Sequence, residues 1–210
     1  LVGVYAGARV SFERARVAGI EAYRQVPDSG ALSHAALAVA AADNATQRAI
    51  QIDQSLWSQQ RVSAFAENTT NPEVPEGLLR IPALRLEVPI YSGTTEINLN
   101  RGAAHIEGTA ALSHAGNTGI AAHRDGFFRK LKDIAIDDEI GLDVGGRTLH
   151  YRVVDISVVS PSDVHVLAPT EVPSITLVTC YPFYFLGSAP ERYIVRAELT
   201  TASPAATERG

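Results

Sequence analysis

SITLVTCYPFYFLGSAPERYIVRAEL, Ser174 to Leu199, decides how the chain is read. SITLVTC is a run of β-branched and aliphatic residues, and it ends at Cys180, the single cysteine among 210 residues. Tyr181-Pro182 follows at once, and proline has no N–H to offer a strand ladder, so the strand must stop there. After the Gly187-Ser188-Ala189-Pro190 turn, ERYIVRAEL opens a second strand. The thiol therefore stands at a strand end. At a sheet rim such a thiol can meet a substrate, whereas a cysteine buried in mid-strand is an inert small hydrophobe. Position alone leaves both readings open.

Upstream of this stretch, the segments LLRIPALRLEVPIYSG, GAAHIEGTA, GNTGIAAHR and DEIGLDVGGRTLHYRVVDISVVSP are further short β-type runs separated by turn signals. Gly145-Gly146 has the composition of a hairpin turn, and LHYRVVDI beyond it alternates apolar and polar positions. FFRKLKDI, between two strands, reads as one short helix. Seven or eight short strands at this spacing predict a mainly β domain, either a closed barrel or a sandwich.

The first third of the chain is different. Leu32 to Asn68 is rich in Ala, Gln, Arg and Leu and lacks Gly and Pro, which favours helix. Asn44 and Gln47 have capping-box spacing, and Ile50, Trp57 and Phe65 recur near helical intervals, so a packing helix is expected from Asn44. NTTNPEVPEG, Asn68 to Gly77, is a linker. The opening LVGVYAGARV, followed by the charged run from Ser11, reads as the end of a truncated membrane anchor or signal segment, or as the frayed start of an ordinary helix. The expected plan is anchor end, helical spacer and linker over 1–74, a β domain over 75–200 and a disordered tail over 201–210.

Composition narrows the function. With 46% hydrophobic and 20% charged residues the chain supports one principal core. A net charge of -5 leaves no basic face for phosphate neutralisation, so a nucleic-acid partner is not expected. One cysteine permits neither an internal disulfide nor a CxxC metal knuckle. Asp133, Asp137, Asp138 and Glu139 cluster without the alternate spacing and fixed glycine of a calcium loop. Gly145-Gly146 opens no helix and so forms no phosphate loop. Neither metal nor cofactor is expected.

Two other residues share the position of Cys180. GNTGIAAHRDG rises through a strand and delivers His123 to a polar turn, and Arg192 opens the last strand. A nucleophilic thiol needs a neighbouring base and a donor for the developing oxyanion, and an imidazole and a guanidinium supply both. Each taken singly is also an ordinary surface residue. His34, His114, His150 and His165 show no such pattern.

TLVTCYPFYFLGSAPERYIVRA resembles the active-site strand pair of the sortases, and GNTGIAAHRDGFFRKLKDI resembles their histidine segment; YPFYF and GSAPERYIVRA are most similar to class D. The resemblance runs from about Pro75 to Leu199. It implies an eight-stranded sortase-type β-barrel and a cysteine transpeptidase. Cys180 would be the nucleophile, His123 the acid/base partner and Arg192 the substrate and oxyanion arginine. It implies attack on an LPxTG-like sorting signal, a thioester on Cys180, and transfer to an amine of a peptidoglycan cross-bridge or a pilin-type lysine. The setting implied is extracytoplasmic, on a single-pass bacterial membrane anchor. Ala122 departs from the glycine expected before the histidine, and its methyl group would crowd the backbone.

Around these, Thr179 is read either as a contact to substrate or Arg192, or as a plain β-former. His105, in a segment that also resembles the family, is a rival base or a supporting group. Asp125 either orients the imidazole or caps the FFRKLKDI helix. Tyr181 and Phe183 are expected to shape peptide recognition.

Reference acidities make about 3% of the thiol a thiolate and about a quarter of the imidazole charged at pH 7. Independent titration then leaves about 1% of molecules with the ion pair. Three other readings compete. An L,D-transpeptidase lacks support because its SHGC-type motif is absent. A papain-like protease would carry its cysteine early and on a helix. A non-catalytic β-barrel binding module would bury Cys180 as a structural thiol.

Overall fold

The computed structural model describes residues 16–25, 74–112, 115–184 and 189–204. The expected anchor end and the expected helix from Asn44 lie outside these residues. After a helix over residues 16–24 (α1), the order is β1 (Gly77–Ile81), β2 (Leu86–Ser92), α2 (Glu96–Arg101), β3 (Ala103–His105) and β4 (Asn117–Ala121). Then come β5 (Glu139–Val144), β6 (Arg147–Val159), β7 (Ser174–Tyr181) and β8 (Glu191–Pro204).

The eight strands close into a barrel in the order β1-β2-β3-β4-β7-β8-β6-β5, with β1 pairing to both β2 and β5. Closure removes the open sheet edges that a sandwich would have to protect. The alternation read from LHYRVVDI is real: Leu149, Tyr151 and Val153 face inward while Arg152 and Val154 are exposed. Gly145 and Gly146 form the β5–β6 turn at φ 54° and 70°. Two consecutive left-handed residues match the strand twist, and side chains would strain there.

Leu79, Val88, Ile120, Phe128, Leu142, Ile175, Leu177 and Val195 are fully buried and belong to one continuous core. LLRIPALRLEVPIYSG forms two strands, because Pro82–Leu84 make a 3₁₀ turn closed by Arg85 in the left-handed region. FFRKLKDI is helical as expected, in the tighter 3₁₀ form over Phe127–Asp133, with Phe127, Phe128 and Leu131 buried. Its Lys130 Nζ donates to the Arg85 carbonyl at 2.8 Å, tying this segment to the β1–β2 turn.

α1 packs on β2. A Cβ at Gly19 would come within 2.5 Å of the Tyr91 hydroxyl and 2.7 Å of the Pro89 ring, so only glycine admits this approach. Ile20 is buried beside it. Glu87 holds the contact electrostatically: its carboxylate takes Arg24 at 3.0 Å and Arg80 at 3.1 Å, and its carbonyl takes Arg16 at 2.9 Å. Among the described residues no helix is long and apolar enough to cross a membrane.

One correction concerns the tail. β8 continues through Pro204 because the 13-residue β6 still offers partners there, with Thr201 opposite His150 and Pro204 opposite Arg147. Residues 201–204 are therefore strand.

Candidate active site

Topology brings three strand ends to one rim. β4 runs parallel to β7, with Ala121 opposite Val178. β8 runs antiparallel to β7, with Cys180 opposite Arg192. The segment leaving β4, the end of β7 and the start of β8 thus stand side by side, and they carry His123, Cys180 and Arg192. Cys180 is half-buried, open at the rim rather than sealed in the core.

The histidine strand is fastened to the cysteine strand twice. The Ala122 N–H donates to the Val178 carbonyl at 3.3 Å, and the buried Thr179 hydroxyl donates to the Ala122 carbonyl at 2.8 Å. Thr179 thus touches the backbone just before His123 rather than Arg192. The methyl of Ala122 is buried in the core cluster, so the residue expected to crowd the backbone finds room.

His123 Nε2 lies 3.6 Å from Glu96 Oε2, at the start of α2. Sequence reading missed both the helix and this acid. Asp125, expected to orient the imidazole or to cap the following helix, does neither. The cap position falls on Gly126 with no side-chain hydrogen bond, and Asp125 is exposed and makes no ion pair among the described residues.

Arg192 Nη1 donates to the carbonyls of Ala189 at 3.3 Å and Glu191 at 2.9 Å. These bonds anchor one nitrogen of the guanidinium and leave the other N–H groups of the fork for a ligand.

Aromatic residues brace the exit of β7. Phe183 meets Tyr193 at 5.0 Å between centroids, Tyr181 meets Phe183 edge-on at 5.7 Å and stacks with Tyr193 at 6.0 Å. Burial pushes the Tyr193 phenol up, with Tyr181 adding to it. Phe183 is itself a core residue, so its ring supports the site from beneath instead of presenting a surface to peptide.

His105 lies two strands from Cys180, across β4. Its Nε2 meets the Ala110 carbonyl at 3.0 Å and the Thr109 hydroxyl at 3.2 Å, and its Nδ1 lies 3.8 Å from Glu76. Through Nε2 it clips the β3–β4 loop in place. Asn117 does the same for the β6–β7 connection. Buried at the start of β4, it donates to the carbonyls of Val166 and Ala168 at 3.0 and 3.1 Å and accepts from Thr176 at 2.8 Å.

A closed eight-stranded barrel with cysteine, histidine and arginine at adjoining strand ends defines the class of architecture, and comparison with known proteins agrees. Residues 79–200 match the Sortase domain family model; the chain belongs to the sortase family. It is 30% identical over 126 residues to Sortase D of Bacillus subtilis, a match spanning 60% of this chain and 64% of that protein. The Clostridium perfringens Sortase D5 transpeptidase superposes with a TM-score of 0.56 at 26% identity, over 71% of this chain and 92% of that one. Sortase E1 of Streptomyces coelicolor, solved with a tripeptide in its active site, gives 0.57 at 27% identity, over 65% and 94%.

Proposed function

We propose that this chain is a cysteine transpeptidase that cleaves an LPxTG-like sorting signal and passes the acyl group to an amine in the bacterial cell envelope. The observation that carries the reading is the register: Cys180 opposite Arg192, with the strand that ends before His123 bonded to the other side of Cys180's own strand. Family membership supports the reaction type, and the peptide-bound relative supports a peptide ligand for this rim.

In this reading the Cys180 thiolate attacks the carbonyl carbon of the scissile Thr–Gly-type bond, and the oxyanion that forms is stabilised by the free N–H groups of Arg192. The His123 imidazolium gives its proton to the departing amine, leaving a thioester and a neutral imidazole. The incoming amine attacks the thioester carbonyl and loses a proton to that imidazole. A new amide forms, the thiolate departs, and the imidazolium is restored, so no proton is gained or lost over the cycle. Glu96 favours the imidazolium on which the first half depends. The acceptor is a cross-bridge or pilin-type amine, and a single-pass anchor holds the catalytic domain outside the membrane.

The test is to incubate the protein with a panel of LPxTG-like peptides, with and without an amine, and follow Cys180 by mass spectrometry. A peptide adduct that vanishes on adding amine and never forms in Cys180→Ala is the expected result. A thiol that stays unmodified by every peptide and resists alkylation in the folded protein would overturn the reading in favour of a binding module.

A further inference from the structure

Beside the rim lies a cleft of about 590 Å³ whose floor is the 3₁₀ segment Phe127–Asp133 and whose sides are the β1–β2 turn, α1 and Tyr184. Five cations line it: Arg16, Arg85, Arg129, Lys130 and Lys132. Three acids accompany them, but two are already engaged: Glu87 with Arg24 and Arg80, and Asp133 with Lys132. Asp125 is the third. The side chains of Arg85 and Arg129 have no carboxylate partner among the described residues, and Lys130 is bonded only to a carbonyl there. Arg129 lies over the Tyr184 ring at 5.4 Å. A cleft with surplus positive charge on side chains that lack carboxylate partners suits an anionic ligand.

The cleft adjoins the chemistry through the chain. Asp125 and Gly126, which line it, directly follow the His123–Arg124 step, and Tyr184 follows Cys180 by one turn of chain. Arg124 Nη1 donates to the Pro182 carbonyl at 3.2 Å, joining the two segments between rim and cleft. The cleft thus lies on the histidine segment's side of the rim. In the cycle proposed above, the amine acceptor is the reactant that must come to the imidazole.

We infer that this cleft is an acceptor subsite that recognises a carboxylate carried by the amine nucleophile, with Arg85 and Arg129 as its principal donors. Two guanidiniums suit a planar carboxylate, which each can take with paired N–H groups. The inference rests on the transpeptidase reading, and its test starts from a thioester already formed, so the two fail separately.

The experiment measures the rate at which triglycine and triglycinamide discharge the preformed thioester. The two carry the same amine and differ in the distal carboxylate, and the amide is the internal reference within each variant. The wild type is expected to prefer triglycine by about fivefold or more at low salt, with the preference shrinking as ionic strength rises. Arg85→Gln and Arg129→Gln should each bring the ratio toward one. Arg85 sits on an exposed turn, so its variant remains informative if Arg129→Gln folds poorly. Equal rates for the two acceptors in the wild type, or a preference that persists in both variants, would overturn the subsite while leaving thioester chemistry intact. Failure to form the thioester at all would instead strike the transpeptidase reading.

Discussion

Replacing Glu96 by glutamine removes a charge from the histidine and leaves its shape. Glu96 Oε2 stands 3.6 Å from His123 Nε2, with the two side chains 57% and 26% exposed. A pair this open to water is worth about 0.2–1 kcal/mol. The sign follows from charge. The carboxylate attracts a positively charged ring, so its loss disfavours the imidazolium. In the proposed cycle the imidazolium is the proton donor, so kcat/KM for peptide cleavage falls, by about 1.4- to 5-fold. The assay is the initial rate of signal-peptide cleavage from pH 5 to 10, for wild type and Glu96→Gln, at low salt and again near 1 M. High salt should shrink the difference, because an exposed pair is screened. Rates that coincide with the wild type across that range, in a variant of unchanged Tm, would refute the role given to Glu96.

Two further outcomes follow from packing. Asn117→Ala strands the Ala168 carbonyl and leaves the Thr176 hydroxyl and the Val166 carbonyl only their 3.4 Å bond to each other, so it should cost about 1–3 kcal/mol in urea unfolding and speed hydrogen exchange around Val164–Leu167; a loss below about 0.5 kcal/mol would show that the connection is held elsewhere. Burial pushes Tyr151 up to about 12 from its ordinary 10, so the folded state resists ionising it, and the stability this gives is complete below about pH 10 and is lost as pH climbs through about 12. Tyr151→Phe should therefore show a shallower fall in unfolding free energy between those limits, and identical slopes would contradict it.

The legible parts of the fold were those with a repeating local cause. Period-two alternation in LHYRVVDI, the Gly145-Gly146 turn and the proline after Cys180 each act within a few residues, and each was read correctly. α2 was missed because it is only six residues long and has no apolar period to announce it; its one cue is Thr95, whose side chain accepts from the Asn98 N–H as an N-cap. Glu96 was missed for a different reason. Its partner lies on another strand, and no spacing in the sequence states that contact. Asn117 was invisible as a clamp because a buried amide is recognised by the carbonyls around it, not by its neighbours in sequence. Asp125 drew attention by proximity to His123, yet the backbone turns at Gly126 and carries its carboxylate out to the cleft. The tail looked disordered by composition, and the length of β6 decided otherwise for residues 201–204.

The arrangement of strand directions explains why a thiol, an imidazole and a guanidinium from distant parts of the chain meet at all. A parallel β4–β7 pair leaves both strands at one rim, and an antiparallel β8 starts from that same rim. In the proposed reaction residue identity then has two tasks, to react and to hold the reacting groups still. The second task falls to residues with no chemistry of their own. Thr179 fixes the backbone before His123, the rings of Tyr181, Phe183 and Tyr193 fix where β7 leaves the sheet, and the carbonyls of Ala189 and Glu191, at the entry to β8, fix one nitrogen of Arg192. Arginine suits that last duty because its planar fork can be held by one nitrogen and still offer the others, as the proposed oxyanion role requires, whereas lysine has a single ammonium for both. The rim is thereby ordered in advance, and in the proposed reaction such prior ordering would let hydrogen-bond donors stabilise a developing oxyanion without reorganising.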